Sequence, residues 1–196
     1  MESKNSIINY LDACGIGLAR KSVSIVPWQP QWPNAFQRIK KCLTELLGAE
    51  GAYRIEHVGS TSVISLAAKP VLDVLVIFSG ELVSSSIINL LAEFGFEYKG
   101  DGVSRVQQSE PDPRRHFFSF YNDRQDRDFV HLHVYPADHE DVKALLALRD
   151  ALRADKQLLA EYQTLKMRLW QKGHIRSDYT LLKSEFIGKV ISQEIS

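Results

Sequence analysis

The chain has 196 residues, enough for one domain with a sizeable core or for a domain with a helical part added. Its 24 Lys and Arg balance its 24 Asp and Glu, which argues against generic nucleic-acid binding, where a basic excess is usual. No run approaches the ~20 apolar residues of a membrane span, and no basic segment followed by an apolar one opens the chain. A cytoplasmic protein without membrane contact is therefore expected. Cys14 and Cys42 fall outside any CxxC spacing and are expected as buried free thiols.

In chain order, Ile7, Ile8, Leu11 and Leu18 predict a short amphipathic helix over 5–18, ended by Gly15 and Gly17. Residues 1–22 are read as an N-terminal helical extension and 23–196 as the main domain. VSIVPW reads as a short strand closed by Pro27 and Pro30. Pro33 then opens a helix to Leu47, with Phe36, Ile39, Leu43, Leu46 and Leu47 at helical spacing and Gly48 as its stop. YRIEHV and VLDVLVIF read as strands, and 84–94 as a helix. FGFEYKG turns into an edge segment. RRHFFSFY and DFVHLHVYP follow as two strands joined by the charged NDRQDRD. Helices over 138–153, 155–172 and 177–192 close the chain, with Asp138 as the first N-cap and Gly173 ending the second. This order predicts an α+β fold, a mixed sheet covered by helices with a C-terminal helical part.

The chemistry concentrates in EHVGSTSVISLAAKPVLDVLVI, residues 56–77. An unpaired Asp buried in an apolar strand costs several kcal/mol, so Asp73 is expected at a strand end facing a cation, a donor or a ligand. Gly59 permits close backbone approach to a bulky anion. Ser60 and Thr61 offer hydroxyls and N–H groups at a helix start, where anions are favoured. Lys69 lies just before the central strand. No GxxxxGK[ST] or GxSxG occurs, so neither a P-loop nor a serine-hydrolase elbow is present.

His131 and His133 alternate with Val130, Leu132 and Val134, which puts both imidazoles on one sheet face and the aliphatics in the core. Leu145, Leu148, Leu152, Leu158, Leu159, Leu165 and Leu169 are core by helical spacing. His57 is placed provisionally on the side of Asp73. Three histidines and one Asp around a cleft suit a transition metal, phosphate contact or acid–base work, and a half-exposed strand position serves equally for each. Arg149 and Arg153 share a helix face, as do Tyr162 with Lys166 and Tyr179 with Lys183. With Lys69 and Arg115 they are candidate phosphate clamps; solvated surface pairs are the plain alternative.

Gly-Ser followed, after twelve residues, by Asp73 in an apolar strand resembles the nucleotidyltransferase superfamily. The fuller HVGST…AKPVLDVLV, with HLHVYP, LRDALR, EYQTLK and YTLLK downstream, resembles the GrpB family from about Val23 to the C-terminus. The resemblance implies a nucleotidyltransferase-like fold and a nucleotide or other phosphorylated small molecule as ligand, with Mg²⁺ as a candidate cofactor. It lifts Arg149, Lys166 and Lys183 above surface residues. Such domains occur fused to dephospho-CoA kinase, so a CoA-pathway kinase is a candidate partner, beside a second copy of the chain in a homodimer. The superfamily's second carboxylate, two residues on, is here Leu75. Three readings stay open: Mg²⁺-dependent nucleotidyl or phosphoryl transfer, a non-catalytic nucleotide or CoA-precursor module, and a metal-dependent hydrolase built on His57, His131 and His133.

Overall fold

The computed structural model describes residues 2–20, 22–48, 53–79, 85–100, 112–172 and 176–195, with side chains of the last helix described over 183–193. The elements run α1 (Lys4–Ala13), β1 (Leu18–Ala19), α2 (Trp32–Leu47), β2 (Tyr53–Val58), a 3₁₀ turn (Ser60–Ser62), β3 (Leu72–Phe78), α3 (Ser85–Phe94), β4 (Phe96–Tyr98), β5 (His116–Asn122), β6 (Arg127–Pro136), α4 (Glu140–Ala154), α5 (Lys156–Gln171) and α6 (Arg176–Ile195). The fold is α+β, as the element order predicts.

One sheet runs β2-β3-β6-β5-β4, with β1 pairing at the β6 end. β3 is antiparallel to β2 and parallel to β6, and β5 is antiparallel to β6. The sheet is therefore mixed. β3 is covered on both faces, which explains its nearly continuous apolar run. On one face, Leu72, Val74, Val76, Phe118, Val130, Leu132 and Val134 pack against α1, α2 and α3 through Ile7, Leu11, Phe36, Ile39, Leu43 and Ile87. Full burial of each such side chain contributes roughly 1.5–3 kcal/mol. On the other face, Val58, Leu75, Ile77 and Tyr135 meet Val142 and Leu145 of α4. The leucines of α4 and α5 pack beyond that, with Val63 and Leu66.

α2 begins with Pro33 inside its first turn and ends at Gly48, whose φ of 52° suits a residue without Cβ. Cys14 and Cys42 are free and buried.

Four expectations change. The first helix stops at Ala13, because Gly15 takes φ 71° and redirects the chain toward β1, where Leu18 pairs with Asp128. VSIVPW forms only an isolated bridge between Val26 and Ala68, since Pro27 and Pro30 carry no N–H for a longer ladder. α4 is capped by His139, whose ring accepts from the Asp141 N–H, and not by Asp138. Ser60 and Thr61 start a three-residue 3₁₀ turn, not an α-helix, so no helix macrodipole stands behind them. Gly173 and the Tyr179 side chain lie outside the described residues. No described helix is long and apolar enough to cross a membrane.

Candidate functional site

β-sheet register builds the centre of the site. Asp73, second in β3, pairs with Val58 of β2 on one side and His131 of β6 on the other. His133 pairs with Leu75. In paired strands opposite residues share a face, so period two places Asp73, His131 and His133 together. The alternation in DFVHLHVYP thus leads to the observed cluster: Asp73 Oδ1 lies 3.5 Å from His131 Nδ1 and 3.5 Å from His133 Nε2. The Phe117 ring flanks both imidazoles at 5.4 and 5.2 Å. Asp73 is 28% exposed and His131 23%, whereas His133 is enclosed at 1%. Burial pushes the Asp73 carboxyl up. The two histidines pull it down by more, so it is held well below the usual carboxylate range.

Gly59 completes this centre. Its φ of 68° belongs to the left-handed region, and a Cβ there would stand 2.3 Å from Asp73 Oδ2. The turn therefore lies directly on the carboxylate. Oδ1 faces the imidazoles and Oδ2 faces the turn. Ser60 is half-buried beside it, and Ser62 Oγ donates to the Gly59 carbonyl at 2.6 Å. Lys69 is half-buried in the segment leading into β3.

The other predicted residues go elsewhere. His57 pairs with Val74, so it occupies the opposite sheet face from Asp73. It stacks on Phe36 at 4.7 Å, and its Nε2 lies 3.0 Å from Thr61 Oγ1. Burial presses its pKa down to about 3, against an upward pull from Asp73 and with lesser downward pushes from Arg153 and Arg149, so it is neutral near pH 7. A shared metal site with His131 and His133 is therefore ruled out by register. Among the described residues, no three His, Cys, Asp or Glu side chains are arranged to hold a metal. Thr61 is buried, with its hydroxyl engaged by the His57 ring.

Arg115 is also not a phosphate clamp. It is buried, donates from Nε to Tyr135 Oη at 2.7 Å and lies 3.5 Å from Asp141, itself fully enclosed. His139 extends this network to Asp112 at 2.9 Å. Arg149 is spent on Glu56 at 2.8 Å, on the His57 carbonyl and on Asp150. Lys166 is 1% exposed; its ammonium bonds the Ala67 carbonyl and lies over the Tyr162 ring. Burial and Lys183 both press its pKa well below the usual lysine value. Lys183 is half-buried on α6. Arg149 and Lys166 are met by partners inside the fold, because helical spacing gives a face and not its depth.

A single carboxylate with neighbouring imidazoles does not make a protein cage for Mg²⁺. It does fit a cation held through one protein oxygen, with phosphate oxygens and water supplying the rest. Asp73 Oδ2 itself lies against the Gly59 turn.

Comparison with known proteins agrees with this architecture. The family model described as GrpB protein matches residues 22–193. A UPF0157 protein of Streptomyces coelicolor is 31% identical over 182 residues, covering 92% of this chain and 85% of that protein. The UPF0157 protein YqkA of Bacillus subtilis is 30% identical over 150 residues, 76% of this chain but 40% of that longer protein. The crystal structure of conserved protein GrpB from Enterococcus faecalis superimposes with a TM-score of 0.71 at 29% identity, covering 87% of this chain and 96% of that one. With the GrpB model spanning residues 22–193 and the Enterococcus faecalis GrpB structure sharing the architecture, the protein belongs to the GrpB family.

Proposed function

We propose that the chain binds a nucleotide or another phosphorylated small molecule at the Gly59–Ser60 turn, where Asp73 would hold Mg²⁺. The carrying observation is the half-exposed Asp73 carboxylate seated on a glycine turn that no other residue could form without collision. Mg²⁺, when bound, would neutralise phosphate charge. The chain's own part is positional. Ser60 and the turn backbone orient the phosphate, and Asp73 fixes the cation. His131, with Nδ1 turned toward Asp73, is the acid–base candidate for nucleotidyl or phosphoryl transfer.

One observation favours a non-catalytic version of the same site. Leu75, where a second metal carboxylate would stand, is fully buried in the packed layer against α4. A two-metal displacement then lacks its second protein ligand.

A thermal-shift screen of nucleotides and CoA precursors, with and without Mg²⁺, tests the reading, because a ligand at 100 times its Kd stabilises by about 2.7 kcal/mol. The expected result is a Mg²⁺-dependent rise in Tm that Asp73→Asn removes. Equal Mg²⁺-dependent stabilisation of wild type and Asp73→Asn defeats the metal role. Release of pyrophosphate or phosphate from the bound ligand separates the transferase from the binding module.

A further inference from the structure

A sizeable groove among the described residues does not open on Asp73. It lies across edge strand β2, between α2 and α4, and holds about 580 Å³. That is within the range of small-molecule sites, roughly 300–1,000 Å³. Its chemistry is divided. Trp28, Pro33, Leu152, Leu159 and the stacked Phe36–His57 pair give it flat apolar walls, and Ile64, 66% exposed, stands at its side. Lys40, Arg149 and Arg153 give it three cations against one acid, Glu56. Glu56 is already answered by Arg149 at 2.8 Å and Arg54 at 3.4 Å.

Two cations therefore remain under-compensated. Arg153 is 44% exposed, donates twice to the Ser62 carbonyl and reaches Asp150 only at 3.7 Å. Burial and the neighbouring Arg149 both lower its pKa, as expected of a guanidinium short of negative charge. Lys40 is exposed and makes no ion pair among the described residues. The Trp28 indole N–H is buried with no acceptor among the described residues. A buried donor left unpaired costs free energy that a ligand acceptor or a water recovers.

We infer that this groove is a second ligand site, separate from Asp73, for a small molecule with a flat aromatic body and one anionic group. The body lies between Trp28 and the Phe36–His57 stack, and the anion meets Arg153 and Lys40. His57, neutral on the far face of the sheet, is then a wall of this site and not a ligand of the other. Because it uses no carboxylate, the site needs no divalent cation.

Isothermal titration calorimetry of the full chain in EDTA, with 2-naphthyl phosphate as probe, tests this. 2-Naphthoate, 2-naphthol and inorganic phosphate serve as parallel arms. The two naphthyl anions are expected to bind saturably, and naphthol and phosphate at least about tenfold more weakly, the scale of one charged hydrogen bond or a lost apolar body. Arg153→Gln is expected to weaken 2-naphthyl phosphate by about tenfold or more, and Asp73→Asn to leave it unchanged. Lys40→Gln, at an exposed position, repeats the test if Arg153→Gln fails to fold. Three results overturn the inference: no saturable binding of either anion, naphthol binding as tightly as the anions, or binding lost in Asp73→Asn. Retained binding in that variant alongside a failed Mg²⁺ screen leaves this site standing and the Asp73 reading fallen.

Discussion

Two polar clusters share one face of the sheet and are built from the same residue types, yet only one is open. At the Pro136 end of β6, Arg115, Tyr135, Asp141, His139 and Asp112 form a closed network with Asp141 and His139 fully enclosed. Near the middle of β6, His131 and its β3 partner Asp73 keep about a quarter of their side-chain surface in solvent. In the closed cluster each charge is answered by another buried group, so it fixes α4 against β6. In the open cluster the carboxylate has histidines on one oxygen and a glycine turn on the other. Residue type does not separate the two clusters here; access does.

Breaking the closed cluster is expected to give the largest stability loss. Asp141→Ala leaves the buried Arg115 guanidinium without its carboxylate, a change that costs about 3–5 kcal/mol. Urea denaturation measures it, and a loss below about 1 kcal/mol, the scale of a surface pair, would break the contrast between the clusters. Leu132→Ala, on the packed face between the two histidines, is expected to cost about 2–5 kcal/mol by the same measurement. His133→Ala does not isolate function from stability, because His133 is as buried as that leucine. His131→Ala is the cleaner change.

The third effect depends on pH. His57 titrates at about 3 in the folded chain and near 6.5 when unfolded. Below about pH 6.5 the unfolded state binds the extra proton, so stability falls as pH falls, by about 1.4 kcal/mol per unit down to the folded value. Between about pH 6.5 and 5 that amounts to a loss of about 2 kcal/mol, before most carboxylates titrate. His57→Gln is expected to flatten this slope, and an unchanged slope would disprove the assignment. Asp73→Asn is expected to change stability least, by under about 1 kcal/mol, because the site is partly solvated. Its effect appears in Mg²⁺-dependent ligand stabilisation.

Much of the fold was legible because its signals are local. Pro33 and Gly48 bracket α2, and period-two alternation in β6 named the face that carries both histidines. The site was legible only where strand register decides it. Asp73, His131 and Gly59 came together as expected. His57 did not, because whether it or Val58 shares a face with Asp73 depends on pairing between β2 and β3, which β2's own pattern does not specify. Arg115 and Lys166 read as clamps from residue chemistry, and Lys166 also from the family resemblance; their burial is created by elements distant in the chain. The groove cations were visible only as an i,i+4 pair, Arg149 and Arg153. Trp28 gave no signal, since its wall forms only when α2 and α4 approach the edge strand.

The parallel pairing of β3 with β6 has a kinetic consequence. Asp73 meets His131 only after the chain between them has passed through α3, β4 and β5. Loop-closure entropy must be met before such a long-range ladder contributes anything, so topologies of this kind fold slowly. The β2–β3 pair, which seats Gly59 on Asp73, closes a much shorter loop and can assemble first. A newly made chain would then seat Gly59 on Asp73 before its histidines arrive, and the completed centre would appear only when β6 joins the sheet.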